Sequence, residues 1–172
     1  MVSRPGVRRS LLLALWVALP GLACDGYACV PGDPHPPTYF DDASSLKDRF
    51  AAEIDGPLEI HRLMIERGKA ELVRTVEPRK LESLTLRNGE ILRRNDVEGR
   101  FRHTFDLAAL DLGLVPKIIT EAESVVGEGS PALRMTIEPN TRGEVVWSVL
   151  VRGQEGRETI SFGADGELLG AP

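Results

Sequence analysis

The sequence predicts an α+β protein whose helices pack on one face of an antiparallel sheet. Three observations carry that expectation. Several segments alternate apolar and polar residues with the period of two that a half-buried strand requires, as Val145, Trp147, Val149 and Val151 do. Two other segments space their apolar residues at the helical period. Asn88-Gly89, set between strand-like runs, is the dipeptide of a tight two-residue hairpin.

Residues 1–23 have the order of an export signal. Arg4, Arg8 and Arg9 come first without any acid, and an uncharged apolar run spans residues 11–19. Pro20 and Gly21 break a helix there, and Gly21-Leu22-Ala23 puts small residues at the two positions a signal peptidase reads. Arg8-Arg9-Ser10-Leu11-Leu12 also resembles a twin-arginine signal. The apolar run is shorter than the about 20 residues of a spanning helix. The working protein is therefore expected to begin at or near Cys24 and to be periplasmic or secreted. Loss of the three arginines makes the formal net charge of −5 more negative still. An acidic domain gains nothing from phosphate backbones, which argues against nucleic-acid binding.

Cys24 and Cys29 are the 2 cysteines, and two readings of them exclude each other. Gly21-Leu22-Ala23-Cys24 resembles a bacterial lipobox in part, with Gly21 where Leu is usual, so Cys24 is a candidate lipidation site and the one route to a membrane. Alternatively, Cys24 and Cys29 form a disulfide closing a small loop in an oxidising compartment. An acylated Cys24 leaves Cys29 unpaired.

Residues 24–42 hold Pro31, Pro34, Pro36 and Pro37, a density that suits an extended arm or tether. Residues 43–92 are read as a first α-β-β-β module. Ser45 is placed to cap a helix over 45–55 that repeats Leu46, Phe50 and Ile54, and Gly56-Pro57 stops it. Strand-like runs follow at 58–66, 70–76 and 81–87, and the hairpin at Asn88-Gly89 leads into Ile91-Leu92. Residues 93–114 are a connector, in which Phe101, His103 and Phe105 alternate as in a short strand and Asp106 can cap a turn. Residues 115–172 form the second module. Its helix at 116–126 begins with Pro116, carries a stripe of Ile118, Ile119, Ala122 and Val125, and ends at Gly127. Strands with Leu133, Met135 and Ile137, with the Trp147 segment, and with 159–162 follow, and a second tight turn lies at Asp165-Gly166.

The two halves read alike. Pro57-Leu58 answers Pro131-Ala132, Arg67-Gly68 answers Arg142-Gly143, and Asn88-Gly89-Glu90-Ile91-Leu92 answers Asp165-Gly166-Glu167-Leu168-Leu169. Two tandem α-β-β-β modules are expected, their sheets joined edge to edge. In the second half, the helix at 116–126, the segment Val145-Val146-Trp147-Ser148-Val149-Leu150-Val151 and the closing Ile160-Ser161-Phe162-Gly163-Ala164-Asp165-Gly166-Glu167-Leu168-Leu169 resemble a PepSY module. Two such units in series also resemble, in architecture alone, secreted β-lactamase-inhibitor proteins. The resemblance implies an exported, non-catalytic unit that binds or restrains another protein and has no catalytic residues to carry over.

No motif for a metal, a cofactor or catalysis is found. His35, His61 and His103 have no ligand partners at metal-site spacing. Ser130 lies outside any Gly-x-Ser-x-Gly elbow, and there is no phosphate loop or dinucleotide fingerprint. Asp106 and Asp111 are explained as caps. Arg93, Arg94, Arg100 and Arg102 make a basic patch in an acidic chain, a candidate contact for an acidic partner. The expectation is an exported, non-enzymatic protein that binds or inhibits an envelope or extracellular protein and needs no cofactor. The alternative is a module holding a small apolar or envelope-derived ligand between sheet and helix.

Overall fold

A computed structural model describes residues 38–95 and 97–170. The expectations for the signal, for Cys24 and Cys29, for His35 and for the prolines of the arm fall outside the described residues.

The protein is α+β. A single 3-10 turn, Ala43–Ser45, runs into helix α1, Leu46–Ala51. Strands β1 (Glu59–Ile60), β2 (Arg62–Glu66), β3 (Lys69–Glu77), β4 (Lys80–Arg87) and β5 (Glu90–Asn95) follow. An irregular stretch leads to β6 (Phe105–Asp106), two 3-10 turns, and helix α2, Val115–Val126. The chain closes with β7 (Ala132–Pro139), β8 (Val145–Arg152), β9 (Arg157–Phe162) and β10 (Leu168–Gly170).

Strands β2 to β5 and β7 to β10 form one 8-stranded antiparallel sheet in the order β10-β9-β8-β7-β2-β3-β4-β5. The central seam pairs β2 with β7, Leu63 against Ile137 and Ile65 against Met135. A separate 2-stranded sheet pairs β1 with β6.

Each long strand buries alternate side chains, as a pleated sheet with one covered face demands. Leu63, Ile65, Leu72, Leu84, Met135 and Trp147 point to that face and are fully buried. They join Leu46 and Phe50 of α1 and Val115, Ile118 and Ala122 of α2 in one continuous core. Fully burying an Ile or Leu is worth about 1.5–3 kcal/mol, so each helix is held chiefly by its apolar stripe. Pro116 sits in the first turn of α2, where its missing N–H costs nothing, and Gly127 (φ 130°) ends the helix. The Asn88-Gly89 hairpin has positive φ at both residues and pairs Arg87 with Glu90.

Several details differ from the sequence reading. Each half carries four strands in the large sheet, because the residues after the tight turns at 88–89 and 165–166 pair as β5 and β10. Residues 38–42 belong to the folded body. Phe40 is buried in the core and the Tyr39 amide donates to the Arg67 carbonyl. Ser45 does not cap α1; its hydroxyl donates to the Asp42 carbonyl and carboxylate instead, because Ser45 is itself helical (φ −72°, ψ −16°). The run at 58–66 is interrupted at His61, and Phe101 and His103 lie in no strand. Asp106 and Asp111 accept from the amides of Ala108 and Gly113, as caps of 3-10 turns.

Candidate functional site

Strand alternation gives the large sheet a second face, which no helix among the described residues covers. Met64 of β2 registers with Glu71 of β3 and Thr136 of β7, Thr136 registers with Ser148 of β8, and Ser148 with Ser161 of β9. This row of short hydroxyl side chains crosses the strands, and its members are half-buried rather than core. Arg62, Arg87, Arg94, Arg134, Arg152 and Arg157 share the parity of the open face.

One corner of this face is roofed by the chain. Arg62 registers with Val73, and the His61 amide also donates to the Val73 carbonyl at 2.8 Å, so two residues oppose one as in a β-bulge. The bulge brings the His61 ring to the side of Thr75. Its Nδ1 lies 2.8 Å from the His103 carbonyl oxygen, which can only accept, so Nδ1 carries the proton. Nε2, 2.7 Å from the Thr75 hydroxyl, then accepts from it in the neutral ring. The Phe101 ring stacks on His61 at 4.9 Å and 17°, and the Arg62 guanidinium lies 5.5 Å from the centre of the same ring. Val73 and Ser83, on the open face beside this corner, are buried outside the main core.

A hydroxyl on a ring nitrogen, with a carbonyl holding the other nitrogen, has two of the contacts of a nucleophile–base pair. The hydroxyl belongs to a β-branched threonine, the imidazole is only 7% exposed, and Phe101 stacks on its face. The arrangement fastens the irregular stretch 97–104 to the sheet. Among the described residues, no group of three or more His, Cys, Asp or Glu side chains could hold a metal.

The four arginines singled out in the sequence are not brought together as one patch. Arg93 registers with Leu84 and so points to the helix side. There it pairs with the buried Glu82 at 3.1 Å and donates to the Glu53 carbonyl just after α1 at 2.7 Å. Glu82 also pairs with Arg74 at 2.9 Å, so Arg93 is occupied by the fold. Arg94 registers with Ser83 on the open face. Arg100 and Arg102 flank Phe101 and are exposed.

Two surface grooves among the described residues are open to solvent. One, of about 470 Å³, lies at the end of α2 and is lined by Arg67, Glu123, Glu128 and Ser130 among others. Glu123 there accepts from the Ala132 amide at 2.7 Å. The other, of about 320 Å³, lies beside α1 with Arg49, Glu53, Leu86 and Ile91 in its walls. Neither is an enclosed apolar cavity of the kind a small apolar ligand fills.

The arginines of the open face escaped the sequence reading because they are scattered from residue 62 to residue 157. The available signal was the polar half of each strand's alternation. It becomes a surface only once the strand order is known. No family model, no curated protein and no solved structure matches this chain.

Proposed function

We propose that the chain is an exported, non-enzymatic binding protein, and that it engages or inhibits another protein of the cell envelope or exterior through the open face of its sheet. The observation that carries this reading is a broad sheet face that no helix among the described residues covers, lined by Met64, Thr136, Ser148 and Ser161 and by arginines with no ion pair among the described residues. Antiparallel sheets do commonly leave one face to water. Here, however, that face carries short hydroxyl side chains on β7 to β9 with arginines beside them, as a docking surface would.

Export rests on residues 1–23, with their basic start, apolar run and small residues before Cys24. Cys24 then serves either as a lipid anchor or, with Cys29, as half of a disulfide. The reading of two PepSY-like modules in tandem draws support from strand order. α1 is followed by β2 to β5, and α2 by β7 to β10, with the first large-sheet strand of each half meeting at the seam. The matching pairs Arg67-Gly68 and Arg142-Gly143 fall on equivalent turns, as do Asn88-Gly89 and Asp165-Gly166.

Capture from envelope extract by the immobilised protein tests the reading. A partner should be retained by the wild type and lost with Thr136→Tyr, which raises the floor of the open face without changing charge. Melting of that variant within a few degrees of wild type establishes that the fold is intact. Equal capture by both proteins would remove the open face as the binding surface.

A further inference from the structure

We infer that one end of the open face is a binding site for an acidic polypeptide segment, built from Arg134, Arg152 and Arg157. This inference rests on the protein-binding role proposed above and names the chemistry of the partner.

The three arginines stand on adjacent strands. Arg152 of β8 is directly opposite Arg157 of β9. Arg134 of β7 is opposite Leu150, two residues before Arg152 on the same face, so Arg134 and Arg152 are diagonal neighbours beside the irregularity at 132–134. All three are exposed. None has a carboxylate within ion-pair distance among the described residues, although the chain is acidic overall. Glu66, the residue opposite Arg134, is paired with Lys69 instead.

Like charges directly opposite each other destabilise a sheet. Folding therefore does not account for the Arg152–Arg157 pair, whereas a bound anion between the two guanidiniums would. Arginine rather than lysine at all three positions suits carboxylates, which its planar fork holds bidentately.

Three features favour a polypeptide over other anions. The row beside the cluster is Thr136, Ser148 and Ser161, whose short hydroxyls can hydrogen-bond a peptide laid across the strands. A lipid surface would call for exposed apolar side chains around the cations. The most exposed apolar residues, Leu92 and Leu169, lie on the two edge strands β5 and β10, and Leu169 stands beside Ser161, four residues along β9 from Arg157. A single-stranded nucleic acid would call for exposed aromatic rings on which bases stack, and the aromatic residues of β7 to β9, Trp147 and Phe162, are both buried.

The test uses the purified protein and a fluorescent peptide of ten glutamates, followed by anisotropy at low and at physiological salt. Saturable, salt-sensitive binding is expected, weakened at least tenfold by the double variant Arg152→Gln, Arg157→Gln. That variant should melt no lower than wild type, because it relieves a repulsion, so loss of binding cannot be put down to unfolding. Arg49→Gln, on the helix side, should bind as wild type does. The inference is overturned if the peptide does not bind, or if the double variant binds it equally. It is also overturned if Arg49→Gln weakens binding as much, or if phosphatidylglycerol vesicles or a single-stranded oligonucleotide bind as tightly as the peptide. An envelope partner lost with Thr136→Tyr but kept by the double variant would overturn this inference alone and leave the binding face standing.

Discussion

At the scale of single residues, Trp147 and His61 show how the same burial has opposite consequences. Both have polar ring nitrogens inside the fold. His61 satisfies its two nitrogens through the His103 carbonyl and the Thr75 hydroxyl. Trp147 is fully buried, and its Nε1–H has no hydrogen-bond partner among the described residues. An orphaned buried donor costs about 1–3 kcal/mol. Trp147→Ala should cost about 3–5 kcal/mol through the cavity it opens. Trp147→Phe keeps a ring in the core and removes the orphan, so its cost should stay below about 1.5 kcal/mol. Urea denaturation reads both, and equal losses would show that the indole N–H is satisfied. His61→Ala should instead leave the Thr75 hydroxyl and the His103 carbonyl to find new partners. Faster amide exchange in residues 97–104 would report it, while rates in β7 and β8 stay unchanged. Trp147 was legible as core from alternation alone. The role of His61 was not, since a bulge is a property of two paired strands and only one of them was being read.

At the scale of elements, α2 was the most legible, because proline, stripe and closing glycine all agree within a dozen positions. Its stripe faces the sheet at Val115, Ile118, Ile119 and Ala122, with Ile119 only 8% exposed, whereas Val125 in the last turn is exposed. Ile119→Asp should therefore be severely destabilising, since an unpaired buried carboxylate costs several kcal/mol of the about 5–15 kcal/mol that holds a domain. A melting temperature within a few degrees of wild type would contradict that packing. Strand β5 was less legible. Arg93 and Arg94 look like surface in the sequence, yet pairing with β4 sends Arg93 to the buried carboxylate of Glu82, and nothing local announces a partner so far along the chain. Glu82→Ala would strand Arg74, whose side chain is only 15% exposed, and breaking a buried pair in this way costs about 3–5 kcal/mol. The turn at 38–42 adds a small acid-sensitive contribution. The Thr38 hydroxyl, then the Thr38 amide, hold the Asp41 carboxyl below its usual range, with Arg67 assisting and burial opposing. A lowered folded-state value means stability that is present above the unfolded value of about 3.9 and lost as pH falls through the folded one. Asp41 is largely exposed, so the effect is modest. Asp41→Asn should lower the melting temperature slightly at neutral pH and leave it unchanged in the most acid region, so the acid limb of a plot of melting temperature against pH becomes flatter below about pH 4.

At the scale of the whole molecule, the question is whether the two halves fold as one. Each half has its own helix and four strands of the large sheet, which argues for two units that fold independently. The burial argues the other way. The side chains of both helices and of strands on either side of the seam belong to one continuous core, and Leu63 with Ile65 on β2 packs across from Ile137 with Met135 on β7. Separating the halves would expose two sheet edges in the middle of that core, each a row of unpaired N–H and C=O groups. The cost falls on both halves at once, so neither can unfold while the other stays intact. Unfolding should therefore be a single cooperative transition, as small domains commonly show. The test is direct because the chain has 2 tryptophans, Trp16 and Trp147. In a Trp16→Phe chain, fluorescence reports Trp147 on β8, in the second half, whereas far-UV circular dichroism reports both halves. The two curves in urea should coincide in midpoint and slope. A fluorescence transition displaced from the circular dichroism transition would mean that the β2–β7 seam opens first, and that the sheet is two units side by side instead of one platform. A binding surface that spans strands from both halves keeps its shape only if the seam holds, so the coincidence of the two curves bears on the docking face as much as on stability.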